Sequence, residues 1–237
     1  MDASGPRGWG DPLYAAVLDA TGVGPGSSVL DLGCGAGLFA RAAADRGARV
    51  TGVDVDPAAV AASAAEVPEG TFTVGTAEVP PAGRFDVVAA VQLLGHVADP
   101  AAVLAAAGRA GGVVAATVWG RPEECDVRLF GEALAPWLGP QRPPAHPLSG
   151  PAGLRAVAEA AGLVVDRQLE VRCTFAYPDA DELLGPFFDS APARAVGRRA
   201  GPVALRSAVL ERMADRRTPE GGYRLTNLFR VLVAHRG

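Results

Sequence analysis

The chain has 237 residues, 49% of them hydrophobic and 20% charged, with a formal net charge of −4. An acidic chain argues against sequence-independent binding to DNA or RNA, which requires a basic surface. No apolar run reaches the ~18 residues of a membrane span, and the first twelve residues do not have the pattern of a signal peptide, so we predict a soluble, cytoplasmic protein without a membrane partner.

The first elements are an irregular lead over residues 1–12 and a short amphipathic helix over 13–21. The three cysteines, Cys34, Cys125 and Cys173, are too few and too scattered for a disulfide framework or a zinc site. We therefore predict no metal site. The length suits one large domain with a full core.

Residues 29–55 carry the main functional signal of the chain. An apolar run at 29–32 predicts a buried strand, and alternating glycines then precede a helix-favouring stretch at 38–46. Gly47 ends that helix, and a β-branched run at 49–53 predicts a second strand that leads into Asp54. A strand, a glycine turn, a helix, a strand and an acidic residue form the βαβ unit that binds an adenosine-type cofactor.

The glycine spacing distinguishes between cofactors. A dinucleotide fingerprint is GxGxxG, but here Leu38 stands where its third glycine would fall. Asp31 precedes the turn, and its carboxylate would repel a pyrophosphate but attract an ammonium group. Asp54 lies 23 residues beyond Asp31, where a carboxylate accepts hydrogen bonds from ribose hydroxyls. The pattern predicts S-adenosylmethionine as the ligand.

The remainder of the chain continues the alternation of strands and helices. Predicted strands lie at 71–75, 85–91, 113–119, 163–177 and 223–236; predicted helices lie at 57–67, 100–110, 149–162 and, broken at Pro186 and Pro192, across 179–217. Residues 139–147 form a proline-rich irregular stretch. Functional residues of such folds follow the carboxyl ends of the parallel strands.

Three segments together resemble the class I S-adenosylmethionine-dependent methyltransferases of the small-molecule branch: VLDLGCGAG at 29–37, GVDVDPAAV at 52–60 and the stretch 71–112. The resemblance implies an α/β fold, a Rossmann-like doubly wound seven-stranded sheet with the last strand antiparallel and a small helical lid. It implies a single domain over 1–237, with a cofactor-binding half at 22–118, a variable substrate and lid region at 119–222 and a final strand at 223–236.

The resemblance also assigns cofactor contacts to residues of this chain. The expected cofactor-binding residues are Asp31, Gly33, Cys34, Gly35, Gly37, Asp54, Val55, Thr76, Ala77, Glu78, Val91 and Gln92. Thr76 departs from the family pattern, in which an aspartate accepts a hydrogen bond from the adenine amino group. A threonine hydroxyl accepts one such bond more weakly.

Methyl transfer from a sulfonium is an in-line displacement, so a general base is needed only when the acceptor must lose a proton. His96, just beyond the fourth strand, is the candidate base, although the resemblance implies that a histidine here often only packs against the cofactor loop. Candidates for substrate contact are Tyr14, Trp119 and His146. Helix packing for Tyr14 and a plain loop position for His146 are the alternatives.

The leading function is methyl transfer to a small, largely apolar metabolite. Two alternatives stay open: a protein that binds S-adenosylmethionine without methylating, for a cyclisation or as a binding module, and a nicotinamide-dependent oxidoreductase. The residues do not distinguish O-, N- and C-methylation, and they do not indicate an oligomeric state.

Overall fold

The computed structural model describes residues 5, 6, 8–139 and 146–237. The helices are α1 (Asp11–Thr21), α2 (Leu38–Ala44), α3 (Pro57–Glu66), α4 (Pro100–Ala110), α5 (Arg128–Ala133), α6 (Ala135–Leu138), α7 (Pro151–Ala160), α8 (Ala180–Phe188), α9 (Ala191–Ala200) and α10 (Pro202–Arg212). The strands are β1 (Ser28–Leu32), β2 (Arg49–Asp54), β3 (Thr71–Val74), β4 (Phe85–Val91), β5 (Gly111–Trp119), β6 (Leu163–Tyr177) and β7 (Tyr223–Arg236). Among these described helices, none has the length and apolarity needed to cross a bilayer.

The strands form one seven-stranded sheet in the order β3-β2-β1-β4-β5-β7-β6. The strands β1 to β5 pair in parallel, whereas β7 runs antiparallel to β5. This is the predicted doubly wound α/β fold with an antiparallel last strand, and the prediction is confirmed. From β1 the strand order runs to β2 and β3 on one side of the sheet, and the chain then crosses to β4 and β5 on the other side. A crevice is expected at the carboxyl ends of β1 and β4, where the strand order changes direction.

The sheet core explains why the strands are so apolar. Leu30 of β1, Val88 of β4 and Val114 of β5 belong to one buried cluster that also takes in residues of α4 and α7. The alternate positions, such as Val29 and Ala115, are buried as well. A parallel sheet covered on both faces has this near-continuous apolar pattern.

Two helices that carry the chain back to the sheet begin at aspartate caps. The Asp56 carboxylate accepts a hydrogen bond from Ala58 N at 2.8 Å, and the Asp99 carboxylate accepts one from Ala102 N at 3.0 Å. A proline follows each cap, at the first helical position, where its missing N–H is not needed. These local signals fix where α3 and α4 start.

Two features differ from the sequence prediction. Pro186 does not break its helix but lies inside α8, and the real interruptions fall at Ser190, which caps α9, and at Gly201 before α10. The lead over residues 1–12 is shorter than predicted, because α1 already starts at Asp11 and the Trp9 side chain is buried. Positions 1–4 and 7 of that lead, and 140–145 of the proline-rich stretch, lie outside the described residues.

The chain divides into two compact units. One contains residues 11–119, 146–171 and 229–237, and so holds α1–α4, α7, β1–β5 and the outer parts of β6 and β7. The other contains residues 1–10, 120–145 and 172–228, with α5, α6 and α8–α10. A lid role for the helices of the second unit, and the single-domain organisation, stay predictions.

Candidate functional site

The glycine turn between β1 and α2 is shaped by backbone hydrogen bonds. Gly33 N and Cys34 N both donate to Val53 O, at 2.8 and 3.1 Å, and Gly37 N donates to Cys34 O at 2.9 Å. All three glycines have positive φ, at 71° for Gly33, 53° for Gly35 and 81° for Gly37. L side chains rarely adopt this conformation, so glycine is favoured at these three positions.

The three glycines have different surroundings. A Cβ atom on Gly33 would lie 2.7 Å from Leu93 Cδ1, and one on Gly37 would lie 2.9 Å from Ser63 Cα. A Cβ atom on Gly35 would meet nothing within 4 Å. Gly33 and Gly37 therefore permit close packing inside the protein, whereas Gly35 borders open space where a ligand can approach the backbone.

Asp54, at the end of β2, holds this turn. Its Oδ2 accepts a hydrogen bond from Gly35 N at 2.9 Å, and its Oδ1 accepts one from Asp56 N at 3.0 Å. On the other side of the turn, Ser63 Oγ donates to Gly35 O at 2.8 Å. A carboxylate has about four lone-pair positions, so Asp54 retains acceptor capacity for ribose hydroxyls while it fixes the loop.

Asp31 is the most unusual titratable group of the site. Its side chain is 1% exposed, and its Oδ2 atom is buried without a hydrogen-bond partner. Burial, together with the negative charge of Asp54, raises the pKa of Asp31 from 3.8 to about 8. A buried carboxyl group without a partner is unfavourable, and a ligand ammonium group would supply the missing donor and charge. The residues therefore fit the amino-acid end of S-adenosylmethionine.

The other expected cofactor residues vary in exposure. Cys34 is buried, and burial raises the pKa of its thiol to about 11, so it is a neutral packing group. Val55 is 68% exposed just after β2. In the adenine segment Thr76 is exposed, Ala77 is buried and Glu78 is half-buried. Their contacts with a cofactor stay predictions.

Gln92, just after β4, has a strained backbone that the sequence did not indicate. Its φ is 57°, and no other non-glycine residue in the described part of the chain has a positive φ. Its backbone N and its Nε2 both donate to Thr117 Oγ1, each at 2.9 Å. Thr117 is fully buried on β5, beside Val91 of β4. A hydroxyl inside the otherwise apolar run VVAATVW is the signal that could have identified it.

The predicted catalytic and substrate residues lie in separate places. His96 is exposed in the turn after β4, where its backbone N donates to Leu93 O at 2.8 Å. The half-buried Tyr14 ring packs edge-on against Phe39, with centroids 5.9 Å apart. Trp119, at the end of β5, contacts Phe229, with centroids 4.5 Å apart.

His146 has a structural contact that the sequence did not indicate. It is exposed, and its Nδ1 accepts a hydrogen bond from Leu148 N at 3.2 Å, which caps a single 3₁₀ turn at Pro147–Ser149. Its proposed substrate contact stays a prediction. Among the residues that the structure describes, no group of three or more His, Cys, Asp or Glu side chains is arranged to hold a metal ion.

Comparison with known proteins gives a consistent result. A family model described as a methyltransferase domain matches residues 11–168. A ubiquinone biosynthesis O-methyltransferase from Pseudomonas aeruginosa (strain UCBPP-PA14) is 38% identical over 107 residues, which cover 42% of this chain and 46% of that protein. The chain thus spans about half the length of the relatives that it matches.

Two solved structures share the fold. One, described as a type II methyltransferase from Anaeromyxobacter dehalogenans, has a TM-score of 0.66 and 25% identity, and the match covers 94% of this chain and 95% of that one. The other, the [4+2]-cyclase SpnF, has a TM-score of 0.61 and 22% identity, with 95% and 81% covered. The second likeness shows the fold alone.

Proposed function

This chain belongs to the family of methyltransferase domains, and from that membership we propose that it transfers the methyl group of S-adenosylmethionine to a small, largely apolar metabolite. The observation that carries the proposal is the buried Asp31 carboxyl group, whose Oδ2 has no partner. It lies one residue before the end of β1, directly before the glycine turn. A cationic amino-acid group is the ligand that this environment favours.

Three residues in and beside the turn have distinct tasks in this proposal. Asp31 pairs with the ligand ammonium, Asp54 accepts hydrogen bonds from the ribose hydroxyls, and Gly35 lets the backbone approach the ligand. When bound, S-adenosylmethionine would supply an electrophilic methyl group, which the acceptor takes in line while the carbon–sulfur bond breaks and S-adenosylhomocysteine leaves. The protein then has to hold the acceptor within about 3–3.5 Å of that carbon and exclude water.

The test is incubation with S-adenosylmethionine labelled in the methyl group and fractionated small-molecule extracts, with labelled products detected by mass spectrometry. We expect a methylated product with the wild-type chain and its loss in Asp31→Asn. Glu211→Gln is the matched control, because Glu211 is an exposed acid in the other compact unit. Binding of S-adenosylhomocysteine without any labelled product would contradict methyl transfer.

His96 is proposed as a general base for an acceptor that must lose a proton. Its exposed position after β4 leaves the ring accessible, and imidazole is the commonest base near neutral pH. We expect His96→Gln to lower kcat by about 10²–10⁴-fold with little change in affinity for S-adenosylhomocysteine. An unchanged kcat would remove His96 from the mechanism without affecting the cofactor proposal.

The second candidate function keeps the cofactor site but not the methyl transfer. The fold shared with SpnF belongs to a protein named as a cyclase, so the fold alone does not decide the reaction. Thr76 is the specific observation that favours this candidate, because this exposed residue replaces the aspartate that the family pattern uses at the adenine. The labelling experiment separates the two, since a cyclising protein would bind the ligand and leave its methyl group in place.

A further inference from the structure

A cleft of about 530 Å³ lies wholly within the unit that contains residues 120–145 and 172–228. It is lined by Glu123, Glu124, Asp126, Arg128, Arg172, Arg216 and Thr226. Three carboxylates and three guanidinium groups would cancel if they were all paired with one another. Their hydrogen bonds show that they are not, and the difference decides what the cleft can bind.

The carboxylates of the cleft already have hydrogen-bond or ion-pair partners elsewhere in the protein, as Asp126 illustrates. Asp126 accepts hydrogen bonds from Arg216 Nε at 2.8 Å and Nη2 at 3.0 Å, and its Oδ2 also accepts one from Thr226 N at 2.9 Å. Although burial opposes the change, these bonds and the nearby charges of Arg216 and Arg128 lower the pKa of Asp126. The Asp126 carboxylate therefore stays ionised, and its oxygens already accept hydrogen bonds from Arg216 and Thr226.

The two glutamates of the cleft both contact Arg121, an arginine that does not line the cleft. Glu124 accepts from Arg121 N at 2.7 Å and from Arg121 Nη2 at 3.2 Å. Glu123 lies 3.4 Å from Arg121 Nε. One arginine that does not line the cleft thus engages both glutamates.

The remaining two arginines keep unused N–H donors. Arg128 Nη1 is buried without a hydrogen-bond partner, and its carboxylate partner Glu132, at 3.5 Å, is shared with Arg212 at 3.1 Å. Arg172 is exposed on β6, and the described residues offer its guanidinium no hydrogen bond or ion pair. Forked guanidinium donors match the geometry of a carboxylate or a phosphate.

We propose that this cleft is a binding site for a small oxyanion, with Arg128 and Arg172 as its donors and Thr226 as a neutral hydroxyl beside them. The proposal is independent of methyl transfer, because none of these residues belongs to the glycine-turn site. The shared chemistry of the ligand is a carboxylate or phosphate group carried by a small molecule.

The experiment is calorimetric titration of the full chain at low ionic strength with inorganic phosphate and, separately, with succinate. We expect saturable binding of at least one probe, and the tighter probe tells a phosphate ligand from a carboxylate ligand. Arg172→Gln is expected to weaken that binding about fivefold, a modest change because Arg172 is exposed. Arg128→Lys keeps the charge but removes the buried Nη1 donor, and should weaken it as well.

Arg199→Gln is the matched control, since Arg199 is an exposed arginine on α9 of the same unit and does not line the cleft. The site does not exist if neither probe binds the wild-type chain, or if Arg172→Gln leaves the affinity unchanged. An equal loss of affinity in Arg199→Gln would mean that non-specific electrostatic attraction of the anion, and not this cleft, produces the binding signal. Circular dichroism of each variant verifies that the chain is folded.

Discussion

At the scale of single residues, we expect Asp31 to couple ligand binding to the release of a proton. With its pKa near 8, the ligand-free carboxyl group is mostly protonated at pH 7, whereas an ammonium partner favours the ionised form. We expect binding of S-adenosylhomocysteine at pH 7 to release close to one proton per site. Calorimetry in buffers of different ionisation enthalpy measures this release.

The same group makes stability depend on pH in the ligand-free chain. Between its ordinary pKa of 3.8 and about 8, the folded state keeps a proton that the unfolded state has lost. The unfolding free energy should therefore fall as pH rises through this window. Asp31→Asn should remove both this slope and the proton release. A proton uptake, or the same release in Asp31→Asn, would contradict the role assigned to Asp31.

Thr117 is predicted to be a positioning residue that acts through Gln92. Thr117→Val removes the acceptor of two hydrogen bonds and leaves the Gln92 backbone N–H unpaired, at a cost of about 1–3 kcal/mol in unfolding free energy. We also expect weaker binding of S-adenosylhomocysteine, measured by titration. Thr117→Ser keeps the hydroxyl and should restore that affinity. If the serine and valine variants bind equally, packing alone explains the position.

At the scale of elements, a glycine of the turn between β1 and α2 can be compared with the glycine that follows α1. Gly37→Ala combines a positive φ with a Cβ atom 2.9 Å from Ser63 Cα, so we expect a loss of roughly 2–4 kcal/mol in unfolding free energy. Gly22→Ala has a similar φ of 68° but no atom within 4 Å, and should cost only about 1 kcal/mol. Denaturant unfolding measures both, and equal losses would contradict the role of Gly37 in packing.

The success of sequence-based prediction follows the strength of local signals. β4, β6 and β7 lie at the predicted residues, because each is a sustained apolar or β-branched run with a clear boundary. The break expected at Pro186 was wrong: a proline seven residues into a nine-residue helix is tolerated here, and Ser190 supplies the true interruption. When two helix-terminating residues lie as close as Pro186 and Ser190, the local sequence does not reveal which of them ends the helix.

The site shows the same division. Asp31, Gly35 and Asp54 follow from spacing, since the turn and its flanking strands are contiguous in sequence. The bond between Gln92 and Thr117 joins residues 25 positions apart, and its geometry depends on the register between β4 and β5. The charged cleft is lined by residues about 100 positions apart in the chain, such as Asp126 and Thr226. No local sequence pattern predicts it.

At the scale of the whole molecule, ligand binding should raise the stability of the fold. A ligand at 100 times its Kd adds about 2.7 kcal/mol, which for a chain of this size is a rise in Tm of about 5–10 °C. We expect this shift with S-adenosylhomocysteine in differential scanning calorimetry. NAD should give none, because Leu38 stands where the third glycine of a dinucleotide-binding turn would fall; a shift with NAD alone would favour the oxidoreductase alternative.

The position of β7 has a consequence for the synthesis of the protein. β7 follows β1–β6 in the chain and so leaves the ribosome after them, yet it lies between β5 and β6. Until it emerges, the nascent chain presents the open edge of β5, whose residues Val114 and Ala116 are apolar, and such edges promote aggregation. The parallel strands around the glycine turn can pair much earlier. The β5 edge therefore stays unpaired until β7, which comes later in the chain, has been synthesised.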